Sequence, residues 1–369
     1  MTLERPPAPR RVALVTGASG QDGWILTKRL LADGAVVHAL VRDQRGVERL
    51  PAGEDEARRF HIHVGDLTDV DRLQAVIRRV RPDELYNLAG MSSVSASFED
   101  PWVAWETNAR PVVAMLEALR DGSPDTRFYQ ASSSEMFGGL PGEITVHDEG
   151  SPLLPQSPYA AAKASAHLAC QVFRDAFDLR VACGIAFNHE SSRRPASFLT
   201  RKVVDHVRRL QSMPSADRIG ALPLRMGNLA AQRDWGFAPD YVDGMILVAR
   251  QIEVRATVLQ RGPEPDVGSS YRDYILGTGR LHAVWELVDR AFAIGGFELR
   301  WRKSSEDPRG WEARFLDTGR HAVTVDPAFL RLADPIAIQA DPGCARRELG
   351  WTPRVGLDVF LSEMLANVA

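Results

Sequence analysis

The 369-residue chain is 44% hydrophobic and 25% charged, ordinary globular usage that excludes a disordered, collagen-like or coiled-coil protein. Its 45 Lys and Arg against 48 Asp and Glu give a formal net charge of -3. That offers no bulk attraction for a polyanion, so no nucleic-acid partner is expected and any nucleotide must be held locally. Cys170, Cys183 and Cys344 are odd in number, far apart and without CxxC spacing, which indicates neither a disulfide framework nor a metal site. The polar start MTLERPPAPRR has no apolar run behind it, and no later stretch reaches the roughly 18 apolar residues of a membrane span. A cytoplasmic chain without membrane contact is expected.

Arg11 to Val15 is a short β-branched run that breaks into Thr16-Gly17-Ala18-Ser19-Gly20-Gln21-Asp22-Gly23 and then into an apolar helical stretch ending at Gly34. The pattern reads strand, glycine turn, helix. Val36 to Val41 follows as a second buried strand, His61 to Val64 as a third and Asp69 to Val80 as a helix. Glu84 to Leu88 is a strand, Trp102 to Leu119 a helix, Arg127 to Ala131 a strand, Tyr159 to Phe177 a long helix and Arg180 to Phe187 a strand. Such alternation predicts an α/β fold of the Rossmann type, a doubly wound parallel sheet. Beyond it Pro, Arg and Trp become frequent, and Tyr241 to Gln251 reads as a helix and Tyr274 to Leu276 as a strand returning to the first sheet. We expect a dinucleotide-binding domain over 11–190 with returning segments about 222–253 and 270–278. A smaller substrate domain takes 191–221 and 279–369, and Arg255 to Ser270 is expected to be an exposed loop.

The spacing Gly17-x-x-Gly20-x-x-Gly23 between strand and helix suits a dinucleotide pyrophosphate. Absent side chains let the backbone approach, and the free N–H groups of the helix start face the anion. An acidic residue after the second strand would accept from a ribose 2′-hydroxyl, whereas a cation would pair with a 2′-phosphate. Arg42 and Asp43 stand side by side there, which leaves the choice open.

Tyr159 and Lys163 are four residues apart, one helical turn on one face. A phenol with a pKa of about 10 is a poor base until a neighbouring cation favours its phenolate. Ser132-Ser133-Ser134-Glu135 follows a strand end, where doubly wound folds keep their ligands. A hydroxyl there can hold a substrate hydroxyl, and the Glu135 carboxylate can take a carbon-bound proton next to a carbonyl.

TGxxGQDG at Thr16 to Gly23, GDLTD at Gly65 to Asp69, YNLAG at Tyr86 to Gly90, FYQASSSEMFG at Phe128 to Gly138, SPYAAAK at Ser157 to Lys163, FNHESSRR at Phe187 to Arg194 and RDWGFAPDYV at Arg233 to Val242 together resemble the GDP-mannose 4,6-dehydratase family. This family belongs to the extended short-chain dehydrogenases/reductases, and the resemblance runs from about Arg11 to the end. It implies a hydro-lyase of deoxysugar biosynthesis that converts GDP-mannose to its 4-keto-6-deoxy form by hydride transfer from carbon 4 to carbon 6, with NADP as cofactor and NAD as the alternative. Tyr159, helped by Lys163, would take the 4-hydroxyl proton, Ser133 would hold the same oxygen, and Glu135 would remove the carbon 5 proton. Gly17, Gly20, Gln21, Asp22, Gly23, Arg42, Asp66, Leu67, Leu88, Ala89, Tyr129, Tyr159, Lys163, His189 and Arg194 would meet the cofactor. Ser133, Glu135, Asn188, Lys202, Arg233 and Arg331 would meet the nucleotide sugar. The family has Thr where Ser133 stands, two arginines where Arg42-Asp43 stands and RPTEV where Arg331 to Pro335 stands. The alternatives on the same scaffold are a 4-epimerase, a 4-keto reductase, a dehydratase of a modified mannose or heptose, or a non-catalytic cofactor-binding protein. A homodimer through the helices Trp102 to Leu119 and Tyr159 to Phe177 is expected, with a tetramer as the alternative.

Overall fold

The computed structural model describes residues 10–51, 58–139, 144–214, 218, 220–258, 271–303, 308–330 and 337–367. The chain divides into two compact units, one of 1–136, 157–185 and 242–274 and the other of 137–156, 186–241 and 275–369. Residues 137–156, 186–190, 222–241 and 275–278 thus fall in the second unit, whereas the sequence pattern assigns them to the first.

The sheet begins with β1 (Val12–Thr16), α1 (Gln21–Ala32), β2 (Val36–Val41), α2 (Gln44–Glu48), β3 (Phe60–Val64), α3 (Val70–Val80) and β4 (Glu84–Asn87). Three helices, α4 (Val94–Glu99), α5 (Pro101–Asn108) and α6 (Arg110–Gly122), lead to β5 (Arg127–Ser133). After β6 (Ile144–His147) come α7 (Pro158–Phe177) and β7 (Val181–Ala186). With Tyr274–Leu276 at one edge, next to β7, the order runs β7, β5, β4, β1, β2, β3. Val12 pairs in parallel with Val36, Ala13 with Glu84 and Glu84 with Arg127. The strand order reverses beside β1, the switch point where such sheets bind ligands at the carboxyl ends of their strands. β1, β2, β4 and β5 are mostly buried, whereas β3 at the sheet edge leaves Ile62 and Val64 exposed, and Leu14, Leu85, Phe128, Val181, Met115 and Cys170 share one core, as continuous apolar strands require.

Local chemistry sets the helix boundaries. Asp69 caps α3 by accepting from the Arg72 amide at 3.1 Å, so the helix starts one residue later than the periodicity suggested. Ser157 caps α7 by accepting from the Ala160 amide at 3.1 Å, with Pro158 in the first turn, a pairing that suits a helix start. The single helix expected over Trp102 to Leu119 is two helices, because Pro111 in the first turn of α6 has no N–H and its ring crowds the preceding turn. The helix expected from Tyr241 is Ala238–Ala249, followed by Gln251–Val258. Arg255 to Val258 is therefore helical rather than loop, as fits a stretch that ends before Gly262 and Pro263, and 259–270 lie outside the described residues.

In the second unit Asn188–Glu190 and Gln232–Phe237 pair in parallel. The latter continues through Ala337–Ala340 to β6. A four-stranded sheet of Leu224–Met226, Leu299–Arg302, Glu312–Phe315 and His321–Val325 shares a core with the helices Leu199–Ser212, Val284–Ile294 and Leu357–Ala366.

Candidate active site

The turn after β1 is built from backbone. Gly17 has φ +68°, and a Cβ there would lie 2.8 Å from the Ala89 amide nitrogen. The Gly20 amide donates to the Gly17 carbonyl at 2.9 Å. A Cβ on Gly23 would stand 2.2 Å from the Gly17 oxygen, so only glycine lets α1 start against the turn. No side chain caps α1 at Gly20, and a helix start of this kind suits an anion. Tyr129 is fully buried beneath, and its hydroxyl has no hydrogen-bond partner among the described residues. Burial, then the Asp22 carboxylate, pushes that phenol well above its ordinary value. These residues fit a dinucleotide, whose phosphates the turn can cradle.

A side-chain ladder that motif reading missed crosses the strand ends. The Thr16 hydroxyl donates to Asn87 Oδ1 at 2.6 Å, the Asn87 amide donates to Gln130 Oε1 at 2.8 Å, and Gln130 donates to the Ala131 carbonyl at 3.1 Å. The Ala89 amide donates to Thr16 Oγ1 at 3.3 Å. It ties β1, β4 and β5 at the end where Leu88 and Ala89 leave the sheet. Polar residues at the last position of β1 and β4 and inside β5 were the available signal.

Ser133 ends β5, and Glu135 follows on a 3₁₀ turn, Ser134–Phe137. The Glu135 amide donates to Ser133 Oγ at 3.3 Å. Tyr159 and Lys163 lie on the buried face of α7. Lys163 Nζ donates to the Ala131 carbonyl at 3.0 Å and stands 6.0 Å from the centre of the Tyr159 ring. Burial lowers the Lys163 pKa to about 8, against a small opposing pull from Cys183. One unit thus carries the hydroxyl, carboxylate, phenol and ammonium around the end of β5.

Arg42 is exposed and 3.7 Å from Asp43, while Asp43 accepts from the Gly46 amide at 2.9 Å and caps α2. That backbone hydrogen bond, then Arg42, holds the Asp43 carboxyl below its usual range. Asp66 accepts from the Thr68 amide at 2.9 Å, and Leu67 packs on the sheet core.

The second unit carries the other expected contacts. Asn188 and His189 lie on a strand beside Trp235 and Gly236. His189 Nδ1 donates to the Phe187 carbonyl at 2.6 Å, and its ring stacks on Tyr241 at 4.7 Å. Arg194 pairs with Glu190 at 3.2 Å and covers the Phe198 ring. Lys202 donates to the Arg225 carbonyl at 2.7 Å and sits 3.9 Å from the Phe329 ring centre. Its burial, then the Arg225 charge, lowers its pKa. Arg233 donates to the Gln232 carbonyl at 2.8 Å. Arg331 lies outside the described residues.

The doubly wound sheet, glycine turn and serine, tyrosine and lysine set define an extended short-chain dehydrogenase/reductase. The sequence model of the family described as GDP-mannose 4,6 dehydratase matches residues 14–364. GDP-mannose 4,6-dehydratase of Vibrio cholerae is 35% identical over 373 residues, 97% of this chain and 93% of that protein. The GDP-mannose 4,6 dehydratase of Homo sapiens is 36% identical over 368 residues, 97% of this chain and 91% of that protein. The chain belongs to the GDP-mannose 4,6-dehydratase family, and with it to the hydro-lyases that dehydrate nucleotide sugars. Among solved structures, dTDP-glucose 4,6-dehydratase of Bacillus anthracis in complex with NAD shares the fold with a TM-score of 0.71 at 18% identity, covering 96% of each chain. UDP-glucose 4-epimerase of Thermus thermophilus, also in complex with NAD, has a TM-score of 0.72 at 23% identity, covering 96% of this chain and 98% of that one. Among the described residues no helix is long and apolar enough to cross a membrane.

Proposed function

We propose that the protein converts GDP-mannose to GDP-4-keto-6-deoxymannose, with NADP held at the glycine turn. The observation that carries the reading is Glu135, two residues beyond Ser133 at the end of β5, in the unit that also holds Tyr159 and Lys163. An epimerase or 4-keto reductase needs the phenol and the ammonium but no base for a carbon 5 proton. Bound at the turn, the dinucleotide supplies the hydride acceptor and donor of an internal oxidation and reduction. The chain supplies the proton transfers. Tyr159 takes the 4-hydroxyl proton with the Lys163 ammonium favouring its phenolate, and Ser133 hydrogen-bonds the same oxygen. The 4-ketone acidifies carbon 5, Glu135 takes that proton and returns it to the departing 6-hydroxyl as water, and a solvent proton then reaches carbon 5 as carbon 6 is reduced. Gly17, Gly20, Gln21, Asp22, Gly23, Asp66, Leu67, Leu88, Ala89, Tyr129, His189 and Arg194 are assigned to the cofactor, and Asn188, Lys202, Arg233 and Arg331 to the sugar nucleotide.

Arg42 supports NADP, because its exposed guanidinium suits a 2′-phosphate while the Asp43 carboxylate is already taken up by the α2 cap. The exposed apolar residues Trp102, Trp105, Val113, Leu168 and Val172 on α5, α6 and α7 support a homodimer through these helices.

Incubation with GDP-mannose and NADP in heavy water, followed by NMR, tests the reading. A 4-keto-6-deoxy product carrying deuterium at carbon 5, without net cofactor reduction, is expected. A protein that binds the dinucleotide but leaves GDP-mannose unchanged would overturn the substrate assignment.

A further inference from the structure

The buried face of α7 continues past Lys163 through His167, Cys170 and Arg174, with Gln171 half-buried beside them. His167, Ser132, Asp273 and Arg174 are all buried. His167 Nδ1 lies 3.0 Å from Ser132 Oγ, and its Nε2 lies 3.1 Å from the Gln171 amide nitrogen. Gln171 also donates to Asp273 Oδ2 at 3.1 Å. Arg174 donates to Asp273 Oδ1 at 2.8 Å and to Oδ2 at 3.3 Å, and the Cys183 amide donates to Oδ1 at 2.8 Å.

The Gln171 amide nitrogen faces Nε2, which also stands 3.7 Å from Asp273 Oδ2, and in a neutral imidazole that arrangement puts the proton on Nδ1 with Ser132 Oγ accepting it. The His167, Cys183 and Asp273 ligand atoms lie within 4.8 Å of one another, yet both oxygens of Asp273 already accept from the Arg174 guanidinium. The cation of this cluster is Arg174, and the cluster reads as a fixed support rather than a metal site.

We propose that His167 is a positioning residue for the dehydration site: it holds Ser132 while Lys163, one turn earlier on α7, holds Ala131, and together they fix the end of β5 that presents Ser133 and Glu135. Adjacent strand residues are thus clasped by adjacent turns of one helix, and Asp273 and Arg174 anchor the second clasp from the far side. The inference rests on the reading that Ser133 and Glu135 act on the sugar.

Kinetics of His167→Ala, His167→Asn, Ser132→Ala and the double variant Ser132→Ala/His167→Ala test it. A displacement of the reacting groups lowers turnover rather than binding, so His167→Ala should lose about 10-fold or more in kcat with KM changed less than about twofold. Asn places an amide donor near Nδ1, so His167→Asn should recover most of that loss. Ser132→Ala should match His167→Ala, and the double variant should be no slower than either, because the two act as one unit. Unchanged kcat in His167→Ala beside a lowered melting temperature, or losses that multiply in the double variant, would overturn the proposal. A wild-type protein inert toward GDP-mannose would sink the substrate reading instead. The clasp is then read without turnover from the ¹⁵N imidazole resonances, with His167 identified by its loss in His167→Asn. The Nδ1–H tautomer, shifted by Ser132→Ala, is expected. An Nε2–H tautomer insensitive to Ser132→Ala would refute the clasp.

Discussion

Lys163 Nζ donates to the Ala131 carbonyl across 3.0 Å, so the ammonium beside Tyr159 is tied to the strand that ends in Ser133. One carbonyl is a weak substitute for hydration, and burial lowers the Lys163 pKa from 10.5 to about 8. The folded protein then binds fewer protons than the unfolded chain between those values, and stability rises with pH across that window. Below about pH 8 the buried cation costs stability, and the proposed dehydration uses that cation. Lys163→Met should therefore be more stable than the wild type at pH 7, by at most about 3.5 kcal/mol at roughly 1.4 kcal/mol per pKa unit, and much slower. Urea midpoints at pH 7 and pH 10.5 check it, with the advantage shrinking at the higher pH. In the wild type kcat/KM should fall above about pH 8 as the ammonium is lost. A profile flat to pH 9.5 would remove Lys163 from the proton transfers.

Glu135→Gln separates oxidation from elimination. The carboxamide keeps the shape of the side chain but cannot take the carbon 5 proton. Product formation should drop by about 100-fold or more, while absorbance near 340 nm still shows hydride transfer to the bound cofactor on mixing with GDP-mannose. Loss of that absorbance as well would mean that Glu135 serves binding.

The glycines of the turn are not equivalent. Gly23→Ala drives a Cβ to 2.2 Å from the Gly17 carbonyl, backbone against backbone, whereas the Cβ of Gly20→Ala stands 3.2 Å from that same oxygen. Gly23→Ala should cost about 2 kcal/mol or more and weaken dinucleotide binding at least 10-fold, with Gly20→Ala milder on both counts. Gly34→Ala is the control: φ is +84° with open space around it, so it should lose about 1 kcal/mol of stability and leave affinity unchanged. Calorimetric titration and thermal melts rank the three.

The parts of the protein legible in sequence are those whose geometry is local. Gly17, Gly20 and Gly23 fall on one turn, and Tyr159 and Lys163 on one helical face, so spacing alone places them. Pro111 shows where periodicity misleads, since the apolar pattern runs through it while the missing N–H does not. The clasp at Ser132 was not legible, because His167 and Asp273 are 106 positions apart and meet only through the order of strands in the sheet. Asn87 and Gln130 likewise look like ordinary polar strand residues until β4 and β5 are neighbours.

Arg42→Ala should separate the two cofactors. If the guanidinium pairs with a 2′-phosphate, its removal weakens NADP by about 5- to 10-fold and leaves NAD nearly unchanged, because an exposed pair is worth about 1 to 1.5 kcal/mol at low salt. Fluorescence titration with both dinucleotides measures it. Equal losses for the two would place Arg42 at the pyrophosphate or at neither.

The outer face of α7 tests the assembly. Val172 is 57% exposed and Trp102 71% exposed, apolar surface that the proposed homodimer would cover. Leu168 and Val172 are four residues apart, on the face of α7 opposite the buried His167 and Lys163, so changing them leaves the clasp and the phenol alone. In a two-fold pair every substitution appears twice at the interface, and Leu168→Glu with Val172→Glu sets four carboxylates against an apolar seam. Light scattering should show a dimer in the wild type and a monomer in the double variant, with the dinucleotide still bound. A wild-type dimer that survives both changes would move the interface off α7, and a wild-type monomer would remove it altogether.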